Sequence, residues 1–197
     1  MVADDALLDE AERNGTRLLR LYRWDPPTLS VGRNQSIEGL ASGAVPIVRR
    51  PTGGQAVWHE HEVTYAVAAP IATFGSLRGA YREVHGRLAQ ALRSLGVDAT
   101  LASLPAGRPS ERRLAACFAA SVGGETLVHG RKLVGSAQVR RRGAFLQHGS
   151  ILLDGAQPFA GNEATTLAAV LGRAVGFEEV AAAIVENWSH LASVAAR

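Results

Sequence analysis

Apolar residues recur at helical spacing in four stretches and alternate in short strand-like runs between them. Residues 4–13, DDALLDEAER, put Ala6, Leu7, Leu8 and Ala11 on one side of a helix whose first turn is acidic, as the helix dipole favours. Short strands follow at 16–24 and 28–32, with Asp25-Pro26-Pro27 turning the chain between them. Residues 45–49 predict another strand, and 55–70 predict a hairpin-like pair around a polar HEHE centre, with a glycine corner before it. The clearest helix is expected over 76–95, where Leu77, Tyr81, Val84, Leu88, Ala91, Leu92 and Leu95 share a face and Gly96 ends it.

Residues 98–102 predict an edge strand, and 104–113, rich in proline, glycine and arginine, a surface loop. The segments 125–130, 131–141 and 143–154 then predict consecutive antiparallel strands turning at Gly130 and Gly143. Two helices, 165–175 and 177–196, close the pattern. Strands first, with helices between and after them, predict an α+β fold whose mixed, mainly antiparallel sheet core is flanked by helices. No internal repeat or linker divides the chain, so residues 1–197 are expected to form a single domain, monomeric, without a C-terminal accessory domain.

Composition narrows the chemistry. The 197 residues are 47% hydrophobic, enough for a real core, and include one cysteine, Cys117. A lone cysteine closes no internal disulfide and builds no multi-cysteine zinc site. No apolar run is long enough for a membrane helix and the N-terminus is acidic, so a cytoplasmic protein with neither a membrane nor a nucleic-acid partner is expected. Lys+Arg is 21, yet the only lysine is Lys132. A net charge of +3 permits an acidic partner without demanding one.

Three glycine-containing segments stand out: RRPTGGQAVWH from Arg49, GRKLVGSAQ from Gly130 and LQHGS from Leu146. None fits a dinucleotide fingerprint or a phosphate loop. Gly53-Gly54 beside Arg49 and Arg50 could let backbone N–H groups and guanidinium groups face an anion, or could simply be a tight turn with solvated arginines. Lys132 is either a compact ammonium that arginine cannot replace or a solvated strand residue. Cys117, in an apolar and small-residue setting, is either a buried hydrophobe or, with a cation folded back beside it, a nucleophile. His59 and His61 would share a strand face and could meet His148 at a metal, but no further ligand is spaced to complete the set, so no metal is expected. Trp58, Phe145 and Tyr65 read as core, and Arg140-Arg141-Arg142 as a solvated hairpin tip or a docking patch for an acidic protein.

Taken in order, these segments resemble the lipoate/octanoate branch of the biotin and lipoate protein ligase superfamily. RRPTGGQAVWH is similar to its R-R-x-[ST]-G-G-x-A-V-x-H signature, GRKLVGSAQ to its G-[KR]-K-[IVL]-x-G-S-A segment, and LQHGSILL to its [HQ]-H-G-[ST]-[IL]-L strand. MVADDALL resembles the family's first helix, and LYRWDPPTLSVGRNQ its W-x-P-x-T-[LV]-S-[LV]-G strand pair. The likeness runs from Met1 to about Asp154 and implies the class II aminoacyl-tRNA synthetase/biotin-lipoate ligase-like catalytic fold. The family usually has a strand before its first helix, and here Met1 falls inside that block. The biotin-type G-R-G-R-x-G-R segment is absent.

ACFAAS, around Cys117, is similar to the C-F-D-A-P-S segment of cysteine-dependent octanoyltransferases. The resemblance implies an acyltransferase that moves an octanoyl or lipoyl group from acyl carrier protein or a lipoylated protein to the lysine of an apo lipoyl domain, on an E2 subunit or the glycine cleavage H protein. Cys117 would carry the acyl group without a cofactor, Lys132 would orient the carbonyl and keep the thiol ionised, and N–H groups near Gly53, Gly54 and Gly135 would bind the oxyanion. Arg49, Arg50, His59, Ser136, Ala137, His148 and Gly149 would complete the pocket, with Val57, Leu133 and Leu146 along an apolar tunnel. An ATP- and Mg-dependent lipoate-protein ligase of the lipoate-protein ligase A type, with Arg49 and Arg50 on an acyl-adenylate, is the alternative. A non-catalytic binder of acyl groups or lipoyl domains is the second.

Overall fold

The first helix, α1 (Val2–Asn14), begins one residue into the chain and ends at Gly15, whose φ of 68° supplies the left-handed cap. The structure, a computed structural model, describes residues 1–40, 45–102, 124–159, 163–188 and 193–196, the last of these as backbone. The loop 104–113 and Cys117 therefore lie outside the described residues.

After α1 come β1 (Leu18–Tyr22), β2 (Thr28–Val31), β3 (Ile47–Arg49), β4 (Val57–His59) and β5 (Glu62–Pro70). A 3₁₀ turn (Ile71–Phe74) leads to α2 (Leu77–Ser94), whose first turn is capped by Ser76 Oγ accepting from Gly79 N–H at 2.9 Å. Then follow β6 (Ala99–Leu101), β7 (Thr126–Val128), β8 (Arg131–Lys132), β9 (Val134–Arg141) and β10 (Ala144–Leu152). Helices α3 (Leu167–Leu171) and α4 (Phe177–Trp188) precede β11 (Ser193–Ala196).

The strands form a five-stranded sheet in the order β11-β1-β5-β10-β9 and two three-stranded sheets, β3-β2-β4 and β6-β7-β8. All neighbours are antiparallel except β11 beside β1 and β3 beside β2. The expected α+β class with a mixed, mainly antiparallel core is what the chain adopts.

Three expectations differ. The hairpin read over 55–70 does not form: β4 pairs with β2 and β5 with β1 and β10, so the HEHE centre is the crossing between two sheets. The single strand read over 131–141 is broken at Leu133, with β8 against β7 and β9 against β10. Of the last helix read over 177–196, Phe177–Trp188 is helical, whereas 193–196 pair with β1 although their alanines suit a helix, because β1 offers an edge.

The large sheet is covered on both faces. Val63, Tyr65, Val67 and Ala69 of β5 pack with Val84, Leu88 and Leu92 of α2 and with Val180 and Ile184 of α4. On the opposite face Ala66 and Ala68 meet Leu8 and Ala11 of α1, together with Tyr22 and Leu146. On α1, Asp4 is buried and Ala6 exposed, the reverse of what hydrophobicity suggests. That inversion points to the face where the site lies.

Candidate functional site

Strand register assembles a polar end on the α1 face of the large sheet. Side chains two apart on a strand share a face, so Glu62 and Thr64 stand with Ala66 and Ala68 on β5. Across from them, His148 pairs with Ala66 and Ser150 with Thr64. On the next strand Gly135 faces Ser150, Ser136 faces Gly149 and Ala137 faces His148. Of these, Thr64, Gly135, Ser136, Ala137, His148, Gly149 and Ser150 line a cleft open to solvent, with Met1, Tyr22, Trp24, Arg50, Val57 and His59 around them.

Two histidine networks hold the walls. His59, 4% exposed, shares hydrogen bonds with Ser30 Oγ at 2.5 Å and Glu62 Oε1 at 2.6 Å. The same carboxylate oxygen accepts from Ser150 Oγ at 2.8 Å and from Thr64 Oγ1. Thr64 Oγ1 also accepts from the Trp24 indole at 2.9 Å, and that indole stacks on the His59 ring with centroids 4.5 Å apart. Trp24 is thus fixed at both its polar and its aromatic side, a rigid apolar wall for the cleft.

His148 lies between Asp4 Oδ2 at 3.2 Å and Thr52 Oγ1 at 2.7 Å. Asp4 also accepts from Tyr22 Oη at 2.9 Å and from Arg20 Nη1 at 2.8 Å. Burial pushes the Asp4 carboxyl upward, but the hydrogen bond and charge of His148 and the Tyr22 hydroxyl outweigh it and leave it below its ordinary value. Burial drives His148 the other way for a base, below its ordinary value, against the pull of Asp4. This network joins α1, β1, β10 and the loop after Arg50, and explains why an acidic residue is buried on an amphipathic helix.

The sequence-derived candidates divide. Arg50, His59, Gly135, Ser136, Ala137, His148 and Gly149 meet at the cleft. Arg49, Gly53, Gly54 and Lys132 are not among its lining residues. Arg49 Nη1 instead donates to the carbonyls of Gly32 at 2.8 Å, Arg33 at 3.1 Å and Gln35 at 2.8 Å. Gly54 marks a close backbone crossing: a Cβ on Gly32 would lie 2.0 Å from the Gly54 carbonyl oxygen. Of the tunnel residues only Val57 reaches the cleft; Leu133 and Leu146 are fully buried in the two cores on either side of the sheet.

His59 and His61 do not share a face, because β4 ends at His59, and His61 points outward beside Glu60 at 3.6 Å. Arg141 and Arg142 pair with Asp9 and Glu12 of α1 at the exposed β9–β10 turn. Sequence reasoning missed Asp4, Tyr22, Trp24, Glu62, Thr64 and Ser150. The alternation Glu62, Thr64 and His148, Ser150 was the available signal, meaningful only once the two strands are known to pair.

Gly149 is required at its place. A Cβ there would lie 2.2 Å from the Gly135 carbonyl oxygen and 2.6 Å from Ser136 Oγ. Gly149→Ala is expected to push β9 away at a cost of about 1–3 kcal/mol; an unchanged urea midpoint would contradict this.

Lys132 lies beneath the surface on β8, 4% exposed, with Nζ 2.6 Å from Glu125 Oε1. Nearby, the fully buried His85 shares a 3.0 Å hydrogen bond with Thr126 Oγ1. Burial, aided by the Lys132 charge, pushes the His85 pKa down to about 3. A histidine held neutral in the fold stabilises it fully above the unfolded-state value near 6.5, and that stability is lost as pH falls from there toward 3. Urea unfolding is therefore expected to show a loss on the order of 2 kcal/mol between pH 7 and 5 from this residue. A His85→Met variant should flatten the slope, and an equal slope in both proteins would refute the assignment.

Comparison with known proteins follows the same lines. Two octanoyltransferases LipM, from Kyrpidia tusciae and Moorella thermoacetica, are 45% and 43% identical, each over 78% of this chain. The chain spans 61% and 60% of their lengths. Among solved structures, lipoate-protein ligase A bound with ATP superposes with a TM-score of 0.75 at 19% identity, over 98% of this chain and 81% of that one. A bi-partite lipoate protein ligase with its E2 lipoyl domain, from Thermoplasma acidophilum, gives 0.67 at 19% identity, over 100% and 81%. At these identities the structures establish the shared fold. Residues 1–189 match the model of the lipoyl protein ligase A/B catalytic domain, and the chain belongs to that family.

Proposed function

We propose that the protein transfers an octanoyl group, or its lipoyl counterpart, from a carrier-bound thioester to the lysine of a lipoyl domain, through an acyl-enzyme on Cys117. The observation that carries this reading is the 45% identity to an octanoyltransferase LipM over most of the chain. The geometry is compatible with it. The cleft is lined by Tyr22, Trp24 and Val57, surfaces suited to an alkyl chain, alongside the polar side chains of Arg50, His59, Thr64, Ser136, His148 and Ser150.

In this mechanism the Cys117 thiolate attacks the thioester carbonyl, a new C–S bond forms and the carrier thiol leaves with the proton. The amine of the acceptor lysine then attacks the acyl-enzyme, giving an amide and restoring the thiol. Lys132, three residues before the Gly135–Ala137 wall, favours the thiolate and the developing oxyanion by its charge. No nucleotide enters this route, whereas an ATP-dependent ligase would first form an acyl-adenylate. The carrier-bound donor and the lipoyl-domain acceptor are expected to approach at the open side of the cleft.

The test is incubation with octanoyl-acyl carrier protein without ATP, followed by intact mass and peptide mapping. An octanoyl adduct on Cys117, discharged by an apo lipoyl domain, is expected. Modification of the lipoyl domain only with free acid and ATP, and no adduct, would replace the transferase by the ligase.

A further inference from the structure

The cleft is lined by an arginine, two histidines and several hydroxyls, a set that would ordinarily hold an anion. Its donors are already engaged within the protein. Arg50 Nη1 and Nη2 donate to Ser30, Gly53 and Gln55. The Trp24 indole N–H goes to Thr64 Oγ1, and Thr64 gives its own hydrogen to Glu62 Oε1. Ser150 Oγ donates to that same oxygen at 2.8 Å. Ser30 Oγ, which accepts from Arg50 at 2.6 Å, keeps its hydrogen for His59 Nε2, and His59 gives the one on Nδ1 to Glu62 Oε1 at 2.6 Å. Asp4 Oδ2 takes up the Tyr22 hydroxyl and faces His148 Nδ1 in the same way. Strand β10, which carries His148 and Ser150, lies between β5 and β9, so the sheet occupies its backbone groups as well. Glu62 is the point of convergence: it is 2% exposed, and one of its oxygens accepts from three side chains that line the cleft.

We propose that Glu62 is a positioning residue that sets the specificity of the cleft: by taking up the hydrogens of His59, Thr64 and Ser150 it leaves the cleft without a side-chain donor, so that a saturated, uncharged chain is accepted and a chain bearing a hydrogen-bond acceptor is rejected. The proposal rests on the acyl-transfer reading above, in which the chain lies in this cleft, and adds which chains the cleft takes. A ligand carbonyl that enters loses its hydrogen bonds to water and finds no donor in return, whereas a methylene loses none. The same carboxylate also fixes the shape of the wall. Thr64, held by Glu62, anchors the Trp24 indole, and that indole stacks on His59, which Glu62 also holds. Removing the carboxylate therefore frees three hydrogens beside the cleft and loosens Trp24 together with them. An octanoyl chain carries no acceptor along its length and a lipoyl chain only weakly accepting sulfur, so both suit the cleft, while oxo and carboxylate-ended chains do not.

The probes are octanamide and its analogue with a ketone in place of the penultimate methylene, a neutral group that can only accept. Their dissociation constants are measured by isothermal titration calorimetry on the wild type and on Glu62→Met, which keeps the volume and removes the acceptor. The wild type is expected to bind the keto analogue about tenfold or more weakly than octanamide. In Glu62→Met that ratio should fall to about threefold or less, because a freed hydrogen now meets the ketone. A merely structural role would weaken both ligands and leave the ratio unchanged. Equal affinities in the wild type, no binding of octanamide, or a folded Glu62→Met with the wild-type ratio each overturns the proposal. Should Glu62→Met not fold, Thr64→Val decides, since it alters no charge and strands the Trp24 N–H: a smaller ratio supports the proposal and an unchanged one overturns it. Failure of the acyl-transfer reading looks different. Octanoyl-acyl carrier protein would then leave no adduct on Cys117, while the two amides, which have no thiol to lose, are still told apart.

Discussion

Lys132→Ala is expected to reduce octanoyl transfer to a lipoyl domain by about 10²- to 10⁴-fold, the range a positioned charge or proton-transfer group contributes. Loss of folding must be separated from loss of chemistry, because removing the ammonium breaks a buried ion pair with Glu125, about 3–5 kcal/mol destabilising. The double variant Lys132→Met/Glu125→Gln separates them. Replacing both partners of a buried ion pair by uncharged groups of similar volume is often neutral for stability. The double variant should therefore regain the wild-type urea midpoint and stay inactive. Lys132→Arg should also remain impaired, since the planar guanidinium does not fit a site built around one nitrogen 2.6 Å from a carboxylate oxygen. A refolded double variant that transfers at the normal rate would remove Lys132 from the mechanism.

The segments that carry Lys132 and the cleft were legible in the sequence, while their geometry was not. Helix α2 declared itself because one face is apolar and the other charged, with a serine cap before it and Gly96, at φ 87°, after it. Strands β5 and β10 were recognisable as apolar runs, yet their pairing was not, because both faces of the large sheet are covered. Val63, Tyr65 and Val67 face α2 while Ala66 and Ala68 face α1, so period-two alternation is lost. The HEHE segment read as a hairpin because the sequence does not mark a crossing between sheets. The same blindness hid Glu62, whose carboxylate is the buried hub for His59, Thr64 and Ser150. Asp4 was hidden by the helix dipole rule, which explains acidic residues in a first turn without any partner.

Arg50→Lys is expected to weaken both the fold and substrate binding far more than Arg49→Lys, although the two arginines are adjacent in one motif. Arg50 is 5% exposed and its guanidinium spans two elements. Nη1 donates to the Ser30 carbonyl at 2.9 Å and Ser30 Oγ at 2.6 Å, and Nη2 donates to the carbonyls of Gln55 at 2.8 Å and Gly53 at 3.3 Å. It therefore ties β2 to the loop that carries Thr52 to His148, and through Ser30 it fixes the His59 ring at the cleft wall. An ammonium is a single point of donation on a flexible stem and cannot reach both groups at once. Each charged hydrogen bond lost is worth about 1.5–3 kcal/mol, and the stranded carbonyls add a desolvation cost. A loss on the order of 3–5 kcal/mol in urea unfolding follows, and in the folded fraction a KM for the acyl donor raised more than kcat is lowered. Arg49 donates to carbonyls of the 32–35 turn away from the cleft, so Arg49→Lys should change stability by about 1 kcal/mol and leave KM near normal. Equal effects of the two substitutions would show that the motif acts through charge alone, and that the bridging geometry of Arg50 plays no part in shaping the site.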